Sequence, residues 1–460
     1  FNRIIIDDVM MYDQKGDSMI YASRISAKVS LLPLLNQKIS IASAQLFGLK
    51  ANLYQQTPQS KHNFQFVLDS LASKDTTKHT PLDLHIGSLI IRHGAVKYDK
   101  RYIASKSGVF SPAHISISDL STHIIANHIT DDAINLHIKK LAFRDKSGLQ
   151  LNSLSFKLDA DKREASLKEF ELQLPHSDIT LGDIHATYRF DNGKLVMPTL
   201  QYSGSIEQSK ITLSDIACLL PIFRHFEDAV FFETQFTGTS TSLRCQKINF
   251  KTGSGSINLQ AKGRISDWNS RPAWDVDIAN LNLTEESISF ISHNLGKKIN
   301  VPKEVTRLGG IHYVGHLSGH GDRLSSKGRL EMGVGNADIQ LAKNGKNIQA
   351  KIATQGIALD RILANKAFGQ VATAIEVKGN KDNLVAKGEI SRFDYNKYSF
   401  RNISLDGQYN HGIVKGLASI DDPNIRVNIE GNYAIKGNKY AINTHIDHLQ
   451  PSILGVKMAD

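Results

Sequence analysis

Cysteine is nearly absent from this chain, with two in 460 residues, Cys218 and Cys245. Neither sits in a CxxC or CxxH context, so the common zinc and redox motifs are excluded. Both read as small buried apolar residues, and a disulfide between them stays open, since two cysteines cannot establish an oxidising compartment. Aromatic residues are scarce at 7% and mean hydropathy is −0.25, which argues against a dense large core. No run of about 18 apolar residues exists, so no segment is expected to cross a membrane as a helix. Catalytic signatures are missing too: there is no GxxxxGK[ST], GxGxxG, HExxH or GxSxG. The expectation is a protein that is not an enzyme, with no cofactor and no metal site.

The charge balance is mildly basic, 55 Lys+Arg against 45 Asp+Glu, a net +10. Without a Lys/Arg block or aromatic-basic interleaving, nucleic acid is not expected as a partner. A cationic surface near anionic lipid accounts for the balance at least as well. The carboxylate pairs Asp7-Asp8, Asp131-Asp132 and Asp421-Asp422 are adjacent, so on strands their members point to opposite faces. Asp421-Asp422-Pro423-Asn424 reads as a turn. His312, His316 and His320 share one face of a strand, but neighbours four residues apart stand about 13 Å from each other. They read as surface histidines.

What the chain has in quantity is alternation. Trp274-Asp-Val276-Asp-Ile278-Ala-Asn-Leu281-Asn-Leu283 reads as a strand with one apolar face, and similar runs recur throughout. Tight-turn signals separate many of them: Asp191-Asn192-Gly193, Asn344-Gly345, Gly379-Asn380, Asp406-Gly407 and Gly437-Asn438. The fold class is therefore all-β, an antiparallel meander. Four places break the pattern. Ser30–Asn36 looks like a helical turn or bend. Helices are expected near 215–232, interrupted by Pro221, near 284–295, capped by Thr284 and stopped by Gly296, and near 360–368, ended by Gly369. Residues 56–80 are polar and read as a loop or insertion.

Each expected helix follows the same lead-in: Ile211-Thr-Leu213, Leu281-Asn-Leu283 and Ile357-Ala-Leu359. Downstream recur Gly238-x-x-x-x-Leu243, Gly319-x-x-x-x-Leu324 and Gly379-x-x-x-x-Leu384, and a Lys-Gly pair at Lys262, Lys327 and Lys387. A degenerate repeat of strands plus one helix implies one continuous stacked structure. Its segments are 1–210, 211–280, 281–356 and 357–460. Some 25–30 strands would make a sheet on the order of 120–140 Å long. Such a sheet must twist and curl. With few helices to cover its apolar face, it is expected to curl into an open U-shaped hydrophobic groove. Apolar area is worth about 25 cal/mol per Å² when taken from water, so the groove favours an elongated apolar ligand. The residues expected to line it are Ile39, Ile41, Leu84, Ile86, Ile115, Ile117, Leu136, Ile138, Leu172, Ile278, Leu281, Ile375, Val377, Val427 and Ile429.

Several passages, in this order, resemble one family. They are FNRIIIDDVMMYDQKGDSMIYASRIS with LLPLLNQKISIASAQLFGLKANLY, then LSDIACLLP, then LTEESISF…VPKEVTRLGGIHYVGHLSG. FDYNKYSFRNISLDGQYN and GLASIDDPNIRVNIEG complete the set. Together they resemble the TamB proteins, translocation and assembly modules of the AsmA-like superfamily in bacterial envelopes. The resemblance implies a periplasmic β-groove that moves phospholipids between inner and outer membranes. It also implies an inner-membrane anchor before this stretch, and a C-terminal region meeting an outer-membrane barrel partner after it. The chain opens at Phe1 already in alternation, and a fragment of a longer protein is expected. The alternative implied role is a scaffold for assembly and secretion of outer-membrane β-barrel proteins.

Overall fold

The computed structural model describes residues 3–29, 39–71, 83–130 and 132–451. The expected bend at Ser30–Asn36 and one member of the pair Asp131-Asp132 lie outside the described residues. The chain forms two compact units, the first from 1–240 with 292–297 and the second from 241–291 with 298–460. Both are built from β-strands, as the alternation requires.

In the first unit the strands are β1 (Arg3–Tyr12), β2 (Ser18–Val29), β3 (Ile39–Phe47), β4 (Lys50–Gln55), β5 (Asp83–Lys100), β6 (His114–Thr130), β7 (Ile134–Asp145), β8 (Gln150–Ala160) and β9 (Glu164–Gln173). They continue as β10 (Asp178–Leu181), β11 (Ile184–Thr187), a ribbon of β12 (Phe190–Asp191) and β13 (Lys194–Leu195), β14 (Gln201–Ile211) and β15 (Val230–Thr239). Neighbours pair antiparallel, with one exception. The collinear pair β3 and β4 lies antiparallel to β2 but parallel to β5. The expected pure meander is therefore mixed here. The cause is the long return through 56–82, which carries helix α1 (Gln65–Leu71) and brings the chain back in the same direction. A parallel pair cannot be closed by a hairpin.

The second unit runs β16 (Ser242–Thr252), β17 (Ile257–Ser266), β18 (Ala273–Leu283), β19 (Ile311–His320), β20 (Arg323–Met332), β21 (Gly335–Asn344), β22 (Asn347–Ala358), β23 (Phe368–Gly379) and β24 (Asn383–Tyr395). Then come β25 (Tyr398–Phe400), β26 (Ile403–Asn410), β27 (Ile413–Asp422), β28 (Ile425–Ala434) and β29 (Lys439–Leu449). Each pairs antiparallel with the next, except that β24 pairs with both β25 and β26. Among the described residues β29 pairs only with β28.

The connections sort by edge, because in a meander alternate turns emerge on the same side. One edge carries tight turns such as Gly345–Lys346 and His411–Gly412. The other carries the excursions with α2 (Ser287–Asn294), α3 (Lys303–Thr306) and α4 (Leu359–Leu363). Gly319 pairs directly with Leu324, and Gly379 with Leu384, so the Gly-x-x-x-x-Leu echo is a hairpin seen from sequence.

Several expected details change. Residues 215–232 form two 3₁₀ turns, Leu213–Ile216 and Pro221–Phe223, followed by β15, because Pro221 breaks the apolar run and strand pairing claims its end. Helix α2 starts at Ser287 rather than beside Thr284, and Gly296 stops it with φ +60°. Its apolar stripe is not what holds it, since Ile291 and Leu295 are exposed. The buried residues are polar: Ser287 Oγ donates to Ser256 O at 2.7 Å, and Asn294 Nδ2 donates to Asp228 Oδ2 at 2.7 Å. Helix α4 spans only five residues and ends at Ala364, in the left-handed region, well before Gly369. Asp406-Gly407 is not a turn but lies inside β26, and the turn falls at His411–Gly412, both with positive φ.

Candidate functional site

In the second unit the register joins one residue per strand into an unbroken transverse row. It runs Ile248–Ala261–Ile278–Gly315–Gly328–Ile339–Ile352–Ile375–Gly388–Leu405–Ala418–Ile429–Thr444, each residue paired with the next. At about 4.8 Å per strand the row extends roughly 58 Å across the strands. Every member but the last is apolar or glycine. A second row lies two residues nearer the tight-turn edge: Cys245–Gly263–Val276–Leu317–Ser326–Leu341–Ala350–Val377–Ala386–Gly407–Gly416–Gly431–Ile442. The two rows share one face, since side chains at i and i+2 do.

Strict alternation would not have kept these rows in phase. In β16 and β18 the apolar residues step by three at Cys245→Ile248 and Ile278→Leu281, and β22 takes the same step from Thr354 to Ile357. At each step a β-bulge absorbs the extra residue, returning the apolar residues to the same face and bending the strand. The Lys-Gly echo also acquires a meaning. Lys262, Lys327 and Lys387 point to the polar face and Gly263, Gly328 and Gly388 to the apolar one. A Cβ on these glycines would stand 3.1 Å from Val276 Cγ2, 2.5 Å from Tyr313 Cε2 and 2.7 Å from Ile375 Cγ1. Gly328 and Gly388 make room for a large side chain of the preceding strand, and Gly263 for one of the following strand.

Over β23–β29 the apolar face hollows into a trench of about 610 Å³. Its floor includes Gly407, Gly416 and Gly431, paired in sequence across β26, β27 and β28. Leu405, Ala418 and Ile429 line one side, and Val414, Tyr433 and Tyr440 the other. Tyr440 is 74% exposed and Ile442 61%, so these apolar groups are left facing water. Towards the edge that bears α4, the same face closes on itself. Phe400, Ile403, Ile425 and Val427 form a core cluster, with Tyr398 stacked edge-on to Phe400 at 4.8 Å. Asp422, buried beneath it, accepts hydrogen bonds from Tyr398 Oη and from the Arg401 and Asn424 amides.

The opposite face is polar. Its central row reads Lys262–Asp277–His316–Lys327–Gln340–Lys351–Glu376–Lys387–Asp406–Leu417. Ion pairs punctuate it: Asp277–His316 at 2.8 Å, Lys351–Glu376 at 3.8 Å and Lys387–Asp406 at 2.9 Å. The hydrogen bond from His316 holds the Asp277 carboxyl below its usual range. Such exposed pairs contribute little each to stability, but they keep this face wet. A wider depression of about 1180 Å³ is lined by Lys327, Lys351 and Lys387 together with Ile339, Ile352, Ile375 and Leu405 of the first row. His312 pairs with Glu331 at 3.2 Å, and His316 lies between Asp275 and Asp277. The histidines have separate carboxylate neighbours rather than a shared centre.

The residues expected to line a groove fall as follows. Ile278, Ile375 and Ile429 are members of the first row and Val377 of the second. Leu281 and Val427 stand in the row on the other side, Leu281 paired to Tyr313 and Val427 to Ile420. Ile278 and Val427 are only 6% and 5% exposed, covered by their neighbours, whereas Ile352 at 44% and Leu341 at 42% present free apolar surface. In the first unit the register joins Ile41–Ile86–Ala126–Leu136–Leu158, Ile39–Leu84–Ile129, Ile124–Ile138–Phe156 and Leu154–Leu172–Ile179. Ile115 and Ile117 pair with Tyr98 and Val96, but Ile117 also faces Asp145, a buried carboxylate that caps the Ser116 amide at 2.9 Å. The glycine floor and Ile339, Ile352 and Leu405 escaped sequence reasoning. Inward glycines carry no hydropathy signal, and only aligned hairpins reveal that they share a row.

No protein-family model, no curated protein and no solved structure matches this chain.

Proposed function

We propose that this chain is a segment of a phospholipid conduit of the TamB-like type, non-enzymatic and periplasmic, lying between an inner-membrane anchor and an outer-membrane barrel partner. The observation that carries the reading is the row of apolar residues and glycines unbroken over twelve strands, with Ile352 exposed in it and Leu341 and Ile442 exposed in the row beside it. Acyl chains lie along the rows, perpendicular to the strands, while headgroups stay in water at the rim. Burying one methylene there is worth about 0.8 kcal/mol, so a chain held along several strands is retained yet slides between equivalent positions. The face needs no chemistry to do this. It needs continuity.

A second reading is a scaffold that adds strands of nascent outer-membrane barrels by β-augmentation. Photo-crosslinkers at Ile352 and Ile375 separate the two. Capture of phospholipid supports the conduit; capture of unfolded outer-membrane polypeptide in its place supports the scaffold and sinks the conduit.

A further inference from the structure

One charged side chain breaks the apolar face of the second unit near its tight-turn edge. The third row, two residues beyond the second, reads Leu243–Ile265–Trp274–Gly319–Leu324–Lys343–Ile348–Gly379–Leu384–Tyr409–Val414–Tyr433–Tyr440. Lys343 is the single ionisable cation or anion in these three rows. It is exposed, and no bulge interrupts the β20–β21 register that sets its direction. Around it the face is apolar and open: Leu324 is 40% exposed, Leu341 42% and Ile348 36%.

The charge beyond Lys343 has the same sign. Lys346 follows in the β21–β22 turn and Lys381 stands in the β23–β24 turn on the same edge, about 10 Å away at the usual strand spacing. Asp322 and Asp382 in neighbouring turns oppose them, and the three cations outnumber the two carboxylates. A cation at the water-side limit of an apolar face matches a ligand with an anionic head and apolar tails. Its flexible stem can lie along Leu341 and Ile348 while the ammonium meets the head in water.

We propose that Lys343 is where the conduit holds the phosphate of a glycerophospholipid, its acyl chains laid along the first and second rows. This rests on the conduit reading and adds headgroup recognition to a face that otherwise recognises only tails.

The test compares two probes with identical tails, pyrene-labelled phosphatidylglycerol and pyrene-labelled diacylglycerol, on the whole chain. The intact protein is expected to prefer the phosphate-bearing probe about tenfold, as one charge-assisted contact allows. K343M is expected to bring the two probes to parity by weakening phosphatidylglycerol binding alone, and K343R to keep the preference. Because the site is exposed and methionine suits an apolar face, K343M should fold, which unchanged diacylglycerol binding confirms. A K343M protein that keeps its preference overturns the assignment and leaves Lys343 as an edge-capping charge, with the conduit reading intact. Binding of neither probe by the intact protein overturns both.

Discussion

Tyr313 lies over Gly328: a Cβ on that glycine would stand 2.5 Å from the tyrosine's Cε2. The ring is 6% exposed and its hydroxyl hydrogen-bonds with Ser326 Oγ at 3.1 Å. Gly328→Ala is therefore expected to destabilise β19 and β20 by about 1–3 kcal/mol, the usual cost of overpacking. In a Tyr313→Leu background the same change should cost less, the remainder coming from the Val314 carbonyl, which also stands 2.5 Å from that Cβ. Hydrogen exchange of the β19–β20 amides in a double-mutant cycle measures the coupling, and additive effects would refute the contact.

The two faces of the second unit predict opposite responses to the same substitution. Ile352 is 44% exposed on the apolar face and Leu417 50% exposed on the polar one. Neither change to aspartate should cost more than about 1 kcal/mol of stability, since both sites are near water. Ile352→Asp is expected to lower retained lipid severalfold, and Leu417→Asp to leave it unchanged. Lipid mass per mole of purified protein is the readout.

Asp215 fastens the first 3₁₀ turn of the apolar segment to the β9–β10 turn. Its carboxylate accepts from the His176 amide at 3.0 Å, His176 Nδ1 at 2.8 Å and Ser177 Oγ at 2.7 Å. Serine and histidine both address the aspartate rather than each other, so this is a clasp and not a nucleophilic triad. Asp215→Ala removes all three of these hydrogen bonds, leaving Ser177 Oγ only its partners on Thr212, and is expected to loosen the segment. Cys218, 7% exposed and with its thiol pushed up by burial, reports on that opening. Each loss of about 1.4 kcal/mol in local stability should speed Cys218 alkylation tenfold. An unchanged alkylation rate would show that the clasp does not hold the segment closed.

Acid should act on the β24–β25 hairpin. Hydrogen bonds from Arg392 at 2.7 and 2.9 Å, then from Ser399 and the Gln370 amide, hold the Asp394 carboxyl below its usual range. A depressed carboxylate stabilises the fold above its unfolded pKa of about 3.9 and loses that contribution as pH falls through the folded value. The difference in thermal midpoint between the native protein and D394N is expected to be constant from pH 7 to 5 and to shrink below pH 4. A difference that does not change with pH would exclude this role.

Fold class was legible because period-2 hydropathy is a local property: Val371, Thr373, Ile375 and Val377 announce a strand without help from any partner. Turns were legible where backbone conformation is local too, as at Asn344-Gly345. Asp406-Gly407 misled because a glycine required by an open sheet face looks the same as one required by a turn. Residues 215–232 misled because apolar content alone does not choose between helix and strand.

By itself the chain determined which residues are apolar, how often they alternate and where hairpins fall. Tertiary structure decided which of them share a row. A row is a set of cross-strand neighbours, fixed by pairing register and by bulges that shift a strand one residue at a time. A single slip would have turned Ile352 to the polar face and Lys351 to the apolar one. The trench floor at Gly407, Gly416 and Gly431, the covered positions of Ile278 and Val427, and the isolated charge of Lys343 all follow from that register, which no one strand contains.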